Sequence, residues 1–272
     1  MPFIPVDTEW IQAGMPVRMP AALALTLPSP FGLSQPPRRK PLVFLIRDGD
    51  HDWTTHDPDG SVREIDIMSW LFAYVKPQGR IMLFSSPLRR AINTSLGLFS
   101  AVFKTNPDAR LRLLPYACEI VTGAAADVGS PRKVLEQQYG NKVNAESLGE
   151  EWFKEERIAK ATLQNSFWRA REVRRFLRDA PPEIDAVVLV SHGAFLKYLT
   201  DNGPSTDWEA HELRVYTFRD TESASQEAHL EEHPGSYSIR KTVFERLAAH
   251  RRWATEEAIQ RLQAGQLRFQ FQ

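Results

Sequence analysis

Two five-residue runs constrain this chain more than anything else in it. Leu42-Val43-Phe44-Leu45-Ile46 and Ala186-Val187-Val188-Leu189-Val190 are apolar at every position. A strand with one wet face alternates apolar with polar residues; a run without alternation is buried on both faces, as in a parallel sheet. Each run stops abruptly, the first at Arg47-Asp48-Gly49 and the second at Ser191-His192-Gly193. Between them, strand-like and helix-like stretches take turns. Ile67, Trp70, Leu71 and Tyr74 recur at helical spacing, and Arg80–Phe84 reads as a strand. One helical stripe follows at Ile92, Leu96, Phe99 and Phe103, then a strand over Leu111–Leu114 and a long helix through Leu163, Phe167, Ala170, Val173 and Leu177. Leu213–Phe218 suits an antiparallel edge strand. Alternation of this kind predicts an α/β fold, a mostly parallel central sheet with helices on both faces.

The flanks differ in texture. Nine prolines fall between Pro2 and Pro41, and proline both fixes φ and lacks an N–H, so residues 1–40 are expected to form an extended arm. Residues 41–218 form the α/β domain in this reading. An acid-rich loop and a basic stretch of helical pattern, Arg240 to Arg268, make residues 219–272 an extension packed on it.

Composition excludes several classes of function. With 34 Lys+Arg against 34 Asp+Glu in 272 residues, there is no field for nucleic acid or a membrane surface to answer. No apolar run approaches the ~18–20 residues of a membrane helix. Cys118 is the single cysteine, which removes disulfide frameworks and multi-cysteine metal knuckles. The expectation is a cytoplasmic protein without metal or cofactor, of undetermined oligomeric state.

Ligands of open α/β sheets sit at the carboxyl ends of the strands. Those ends here read Arg47-Asp48-Gly49-Asp50, Ser85-Ser86-Pro87-Leu88-Arg89-Arg90-Ala91, Pro115-Tyr116-Ala117-Cys118-Glu119 and Ser191-His192-Gly193-Ala194. Arginine presents a planar fork to phosphate or carboxylate oxygens, and histidine handles protons near neutral pH. Helices opening at Arg89 and Gly193 would add N–H groups. A pocket for an anionic small molecule is the expectation, with Trp53 as a wall beside it.

The order strand-Arg-x-Gly, Ser-Pro-Leu-x-Arg-Ala, a glutamate after a Leu-Leu-Pro segment and strand-Ser-His-Gly-x-Phe-Leu resembles the histidine phosphatase superfamily, in its phosphoglycerate-mutase-like branch. His56-Asp57-Pro58, Asp127-Val128-Gly129-Ser130, Trp152 and Trp208 with Glu212-Leu213-Arg214 add to the likeness, which spans about residues 41–218. The resemblance implies Arg47 and Arg90 as a phosphate clamp, with Gly49 and Gly193 beside it. His192 would be the second imidazole and Glu119 the acid for the leaving oxygen. It also implies a nucleophilic histidine where this chain has Asp48. A carboxylate cannot form a phosphohistidine, so ordinary chemistry of that family is excluded. Ala210 stands where many such proteins carry an asparagine.

Three readings follow. Asp48 could itself be a nucleophile in phosphate-ester hydrolysis through an aspartyl-phosphate. Asp48, Glu119 and His192 could instead form an acid/base set for another reaction of an anionic molecule. Alternatively, the chain is a pseudophosphatase in which Asp48 only pairs with the arginines while a phosphorylated or carboxylate ligand is bound. Asp48-Gly49-Asp50 also superficially resembles haloacid dehalogenase phosphatases, but Arg47 adjoins the aspartate and no acidic pair follows Val190. Asp48, Asp50 and Asp52 echo a calcium loop, yet Trp53 holds the place where glycine makes the turn. His51 and His56, with Asp52 and Asp57, suit a solvated loop at the pocket mouth better than a metal. His211, His229, His233 and His250 show no ligand spacing, and Cys118 reads as a small packed residue.

Overall fold

The computed structural model describes residues 40–49, 71, 73–121, 123–201, 207–219, 226–236 and 260–270. In chain order the strands and α-helices are β1 (Leu42–Arg47), β2 (Gly79–Ser85), α1 (Arg89–Leu98), α2 (Ser100–Thr105), β3 (Leu111–Leu113), α3 (Arg132–Tyr139) and β4 (Val143–Asn144). They continue with α4 (Glu156–Ala159), α5 (Leu163–Arg178), β5 (Ile184–Ser191), α6 (Gly193–Leu199), β6 (Leu213–Phe218), β7 (Leu230–Glu232) and β8 (Leu267–Phe269). Of the expected helix through Ile67, Leu71 and Tyr74 are described and helical; its earlier part, the proline arm and most of the Arg240–Arg268 stretch lie outside the described residues.

All eight strands join one mixed sheet in the order β4-β3-β2-β5-β1-β6-β7, with β8 beside the start of β2. β1, β2, β3, β4, β5 and β8 pair in parallel, and β6 and β7 antiparallel. The two apolar runs are direct neighbours: Leu42 pairs with Ala186 and Arg47 with Ser191. Val43 through Ile46 and Val187 through Val190 are wholly buried, which is why neither run alternates. Each such side chain buried adds about 1.5–3 kcal/mol to the transfer term that drives the sheet together.

Register then aligns the strand ends. Ser85 stands opposite Val190 and Leu113 opposite Ser85. The ladder runs one step past the strands, through Asp48 N–H to Ser191 O at 2.7 Å, Ser86 N–H to Val190 O at 2.9 Å and Leu114 N–H to Ser85 O at 2.8 Å. Four chain segments therefore leave the sheet at one level.

Three sequence expectations need correction. The stripe from Ile92 to Phe103 is not one helix, because the chain breaks at Phe99 (φ −104°, ψ 22°) into α1 and α2. Gly97, a poor helix former, precedes the break. On α5 the buried face runs through Ser166, Arg169, Ala170, Val173 and Leu177, while Leu163 and Phe167 are 67% and 53% exposed. The buried stripe begins with a serine and an arginine, so hydrophobicity alone misplaces it by part of a turn. Finally, Leu267–Phe269 lies in the stretch read as helical but forms β8. Gly265 adopts a positive φ of 71°, a conformation cheap only for glycine, and turns the chain into an extended path beside β2. Gln78 N–H to Gln266 O and Gln270 N–H to Ile81 O, at 2.6 and 2.9 Å, bracket that pairing.

Candidate active site

The aligned strand ends bring Asp48, Ser86 and His192 into one buried hydrogen-bonded line. Asp48 Oδ2 lies 2.8 Å from His192 Nδ1, and His192 Nε2 lies 2.6 Å from Ser86 Oγ. The same carboxylate oxygen is 2.6 Å from Arg90 Nε. Asp48 is 5% exposed, and His192 and Ser86 are fully buried. Burying a carboxylate is costly unless it is paired and hydrogen-bonded, and Asp48 has both a guanidinium and an imidazole as partners.

The partners dictate where the protons sit. Ionised Asp48 accepts, so His192 Nδ1 carries a hydrogen and donates it. Ser86 Oγ already accepts from Leu88 N–H at 3.2 Å. A second donor at Nε2 would leave the buried hydroxyl hydrogen without an acceptor among the described residues, a costly arrangement. The consistent assignment is a neutral imidazole whose bare Nε2 receives the Ser86 O–H. In the sequence Ser86 stands out only as part of a strand end. Its signal is the Ser-Pro turn, which holds the hydroxyl just past β2.

Arg90 belongs to α1 and is anchored on its far side. Its Nη2 is 3.1 Å from Asp127 Oδ1 and its Nη1 donates to Ala126 O. Asp127 thus fixes the guanidinium that meets Asp48. Arg47 does not join this pair. Its side chain passes over Gly193, where an added Cβ would stand 3.2 Å from Arg47 Nε, and its Nη1 donates to Trp208 O. Nε and Nη2 of Arg47 have no hydrogen-bond partner among the described residues. Of the two expected clamp arginines, Arg90 holds the Asp48 carboxylate, whereas Arg47 lies over Gly193, next to His192.

Gly49 N–H donates to Thr94 Oγ1 at 3.2 Å. A Cβ on Gly49 would lie 1.7 Å from His211 Nε2, so the Nε2 edge of His211 abuts this backbone. His211 is only 6% exposed. It adopts φ +62°, and its N–H bonds Arg47 O at 3.1 Å. Nothing in its spacing from other histidines foretells this, because the contact is to a backbone.

Glu119 comes to the same edge with a different set of partners. Its Oε1 accepts from Ile120 N–H at 2.8 Å and Phe195 N–H at 2.9 Å, and its Oε2 from Ala194 N–H at 3.4 Å. It caps α6, and among the described residues it makes no hydrogen bond to Asp48 or His192. The N–H groups expected to meet a ligand at the start of α6 meet Glu119 instead. Behind it, buried Arg169 donates from Nη1 to Cys118 O at 3.1 Å and to Cys118 Sγ at 2.7 Å, and from Nη2 to Glu119 O at 3.4 Å. Burial nonetheless pushes the Cys118 thiol up, so it is not a thiolate nucleophile. Trp53, His51, His56, Asp50 and Asp52 lie outside the described residues. Among those described, no three His, Cys, Asp or Glu side chains gather as metal ligands, and no helix is long and apolar enough to cross a membrane.

No protein-family model matches the chain, and no curated protein matches it. Solved structures do. The product of an open reading frame of Mycobacterium tuberculosis is 13% identical, with a TM-score of 0.42, over 72% of this chain and 96% of that one. A mycobacterial glucosyl-3-phosphoglycerate phosphatase is 14% identical, with a TM-score of 0.39, over 71% and 97%. A protein described as mycobacterial hydrolase 1 is 13% identical, with a TM-score of 0.38, over 72% and 97%. At such identities the chemistry must be read from the side chains of this chain itself.

Proposed function

We propose that this chain is a histidine-phosphatase-type protein turned to acid/base hydrolysis of an anionic small molecule, with His192 as the base. The observation that carries the reading is the line Asp48 Oδ2–His192–Ser86 Oγ, at 2.8 and 2.6 Å. A carboxylate on one imidazole nitrogen fixes the tautomer and favours the imidazolium that forms on taking a proton. Asp48 is thereby an orienting group. Its Oδ2 is held by both Arg90 and His192, the placement of a group that positions the ring. Arg47, beside Gly193, is the donor for the substrate's negative charge. Gly193 leaves room for the Arg47 side chain to pass over it, and Glu119 holds α6 in place behind it.

One observation favours a second reading. The Asp48 carboxylate lies between Arg90 and His192, where the superfamily resemblance implies a bound phosphate. A silent protein with an internal counter-ion has the same contacts.

Turnover separates the two. We expect the full chain to hydrolyse p-nitrophenyl hemisuccinate, an anionic aryl ester, faster than neutral p-nitrophenyl acetate. His192→Ala should lower kcat by about 100-fold or more, in line with loss of a general base. Arg47→Met should raise KM for the anionic ester alone. Turnover that persists in folded His192→Ala contradicts the proposal, and no turnover of these esters or of p-nitrophenyl phosphate favours the silent reading.

A further inference from the structure

We infer that Ser86 is a covalent nucleophile and that the substrate class is a carboxylic ester bearing a negative charge. This rests on His192 acting as the base and adds an acyl-enzyme to it. The arrangement that activates a serine is a hydroxyl within hydrogen-bond reach of an imidazole whose other nitrogen is held by a carboxylate. Ser86, His192 and Asp48 satisfy each part, with Ser86 Oγ 2.6 Å from Nε2 and Asp48 Oδ2 2.8 Å from Nδ1. Recognition of such a set rests on geometry and role, since chain order varies freely. Leu88 N–H fixes the lone-pair side of Oγ, so the hydroxyl hydrogen points to the ring. Arg90 Nε lies 2.6 Å from the same oxygen of Asp48 and holds that carboxylate in place against the ring.

The chemistry balances without any further reagent. Ser86 Oγ attacks the ester carbonyl carbon as its proton passes to His192 Nε2. The tetrahedral adduct collapses, the carbon–oxygen bond to the alcohol breaks, and the alkoxide leaves with the proton from Nε2. Water then attacks the acyl-serine and gives a proton to Nε2. Collapse releases the carboxylic acid, and Ser86 recovers its hydrogen. The net reaction is ester plus water to acid plus alcohol.

Ser86 and His192 are both fully buried, so the decisive probe must report access as well as activation. A fluorophosphonate does both: the Oγ–P bond forms, fluoride leaves and the proton goes to Nε2. We expect the full chain to be labelled at Ser86, located by peptide mass spectrometry. Label should be absent in Ser86→Ala and at least about 100-fold slower to form in His192→Ala. A merely structural Ser86, bridging Leu88 and His192, predicts lower stability in Ser86→Ala and no label in any form of the protein.

Ser86→Cys guards against a folding failure, since the substitution is conservative in size. Iodoacetamide should alkylate the thiol that this variant introduces, while buried Cys118 stays unmodified. Ester turnover that survives in Ser86→Ala and still requires His192 overturns the nucleophile but leaves the base. Absence of label and of turnover in the wild-type chain overturns both. Label on a residue other than Ser86 overturns the nucleophile assignment.

Discussion

A methyl group added to Gly49 would place its carbon 1.7 Å from His211 Nε2, far inside van der Waals contact. Gly49→Ala should therefore cost about 1–3 kcal/mol in chemical denaturation, the range for overpacking a filled site. In a His211→Ala background the same change should cost little, because the ring that obstructs it is gone. That pair of measurements forms a double-mutant cycle on neighbours in contact. An equal cost in both backgrounds would mean that His211 does not lie against Gly49. The glycine is legible as part of a motif, but its reason is not, since that reason is a histidine far along the chain whose side chain meets a backbone. Ser86 is obscure for a related cause: its partner His192 is 106 residues away, and a serine before proline reads as a turn.

Among the elements, α5 does the least expected work. Its central residues carry Arg169 into the interior, where it bonds the carbonyls of Cys118 and Glu119 and its guanidinium lies 5.2 Å from the Phe195 ring centre. The segment after β3, the start of α6 and α5 are thus joined through one side chain. Arg169→Met keeps much of the bulk and removes the donors. We expect a loss of about 1–3 kcal/mol, the cost of leaving the buried Cys118 carbonyl without a partner, since the Glu119 carbonyl is only part-buried. Thermal or urea unfolding of the variant measures it, and a neutral substitution would show the carbonyls to be solvated. An arginine on the buried face is invisible to hydrophobic periodicity, which is why periodicity draws the stripe on α5 through Leu163 and Phe167 instead. The strands are plainer. β1 and β5 are central and two-sided, so their composition declares them, whereas β7 and β8 are short and depend on neighbours already in place.

At the scale of the whole molecule, the sheet's register makes the site. Asp48 and His192 are 144 residues apart in sequence and meet because β1 and β5 are adjacent, parallel and end level. That convergence of Asp48, Arg90 and His192 is foreseeable, since strand ends in such a sheet share one edge. The division of labour is not. Arg90 alone of the two arginines meets Asp48, and Glu119 caps a helix, because side-chain direction is set by contacts that no strand pattern encodes. The most direct test is nitrogen-15 NMR of the histidine ring of the full chain at neutral pH, with the His192 signals assigned by their loss in His192→Gln. The account predicts a neutral His192 ring with its hydrogen on Nδ1, a downfield hydrogen-bonded proton there that shifts upfield in Asp48→Asn, and a bare Nε2. A hydrogen on Nε2, alone or in a doubly protonated ring, would contradict it.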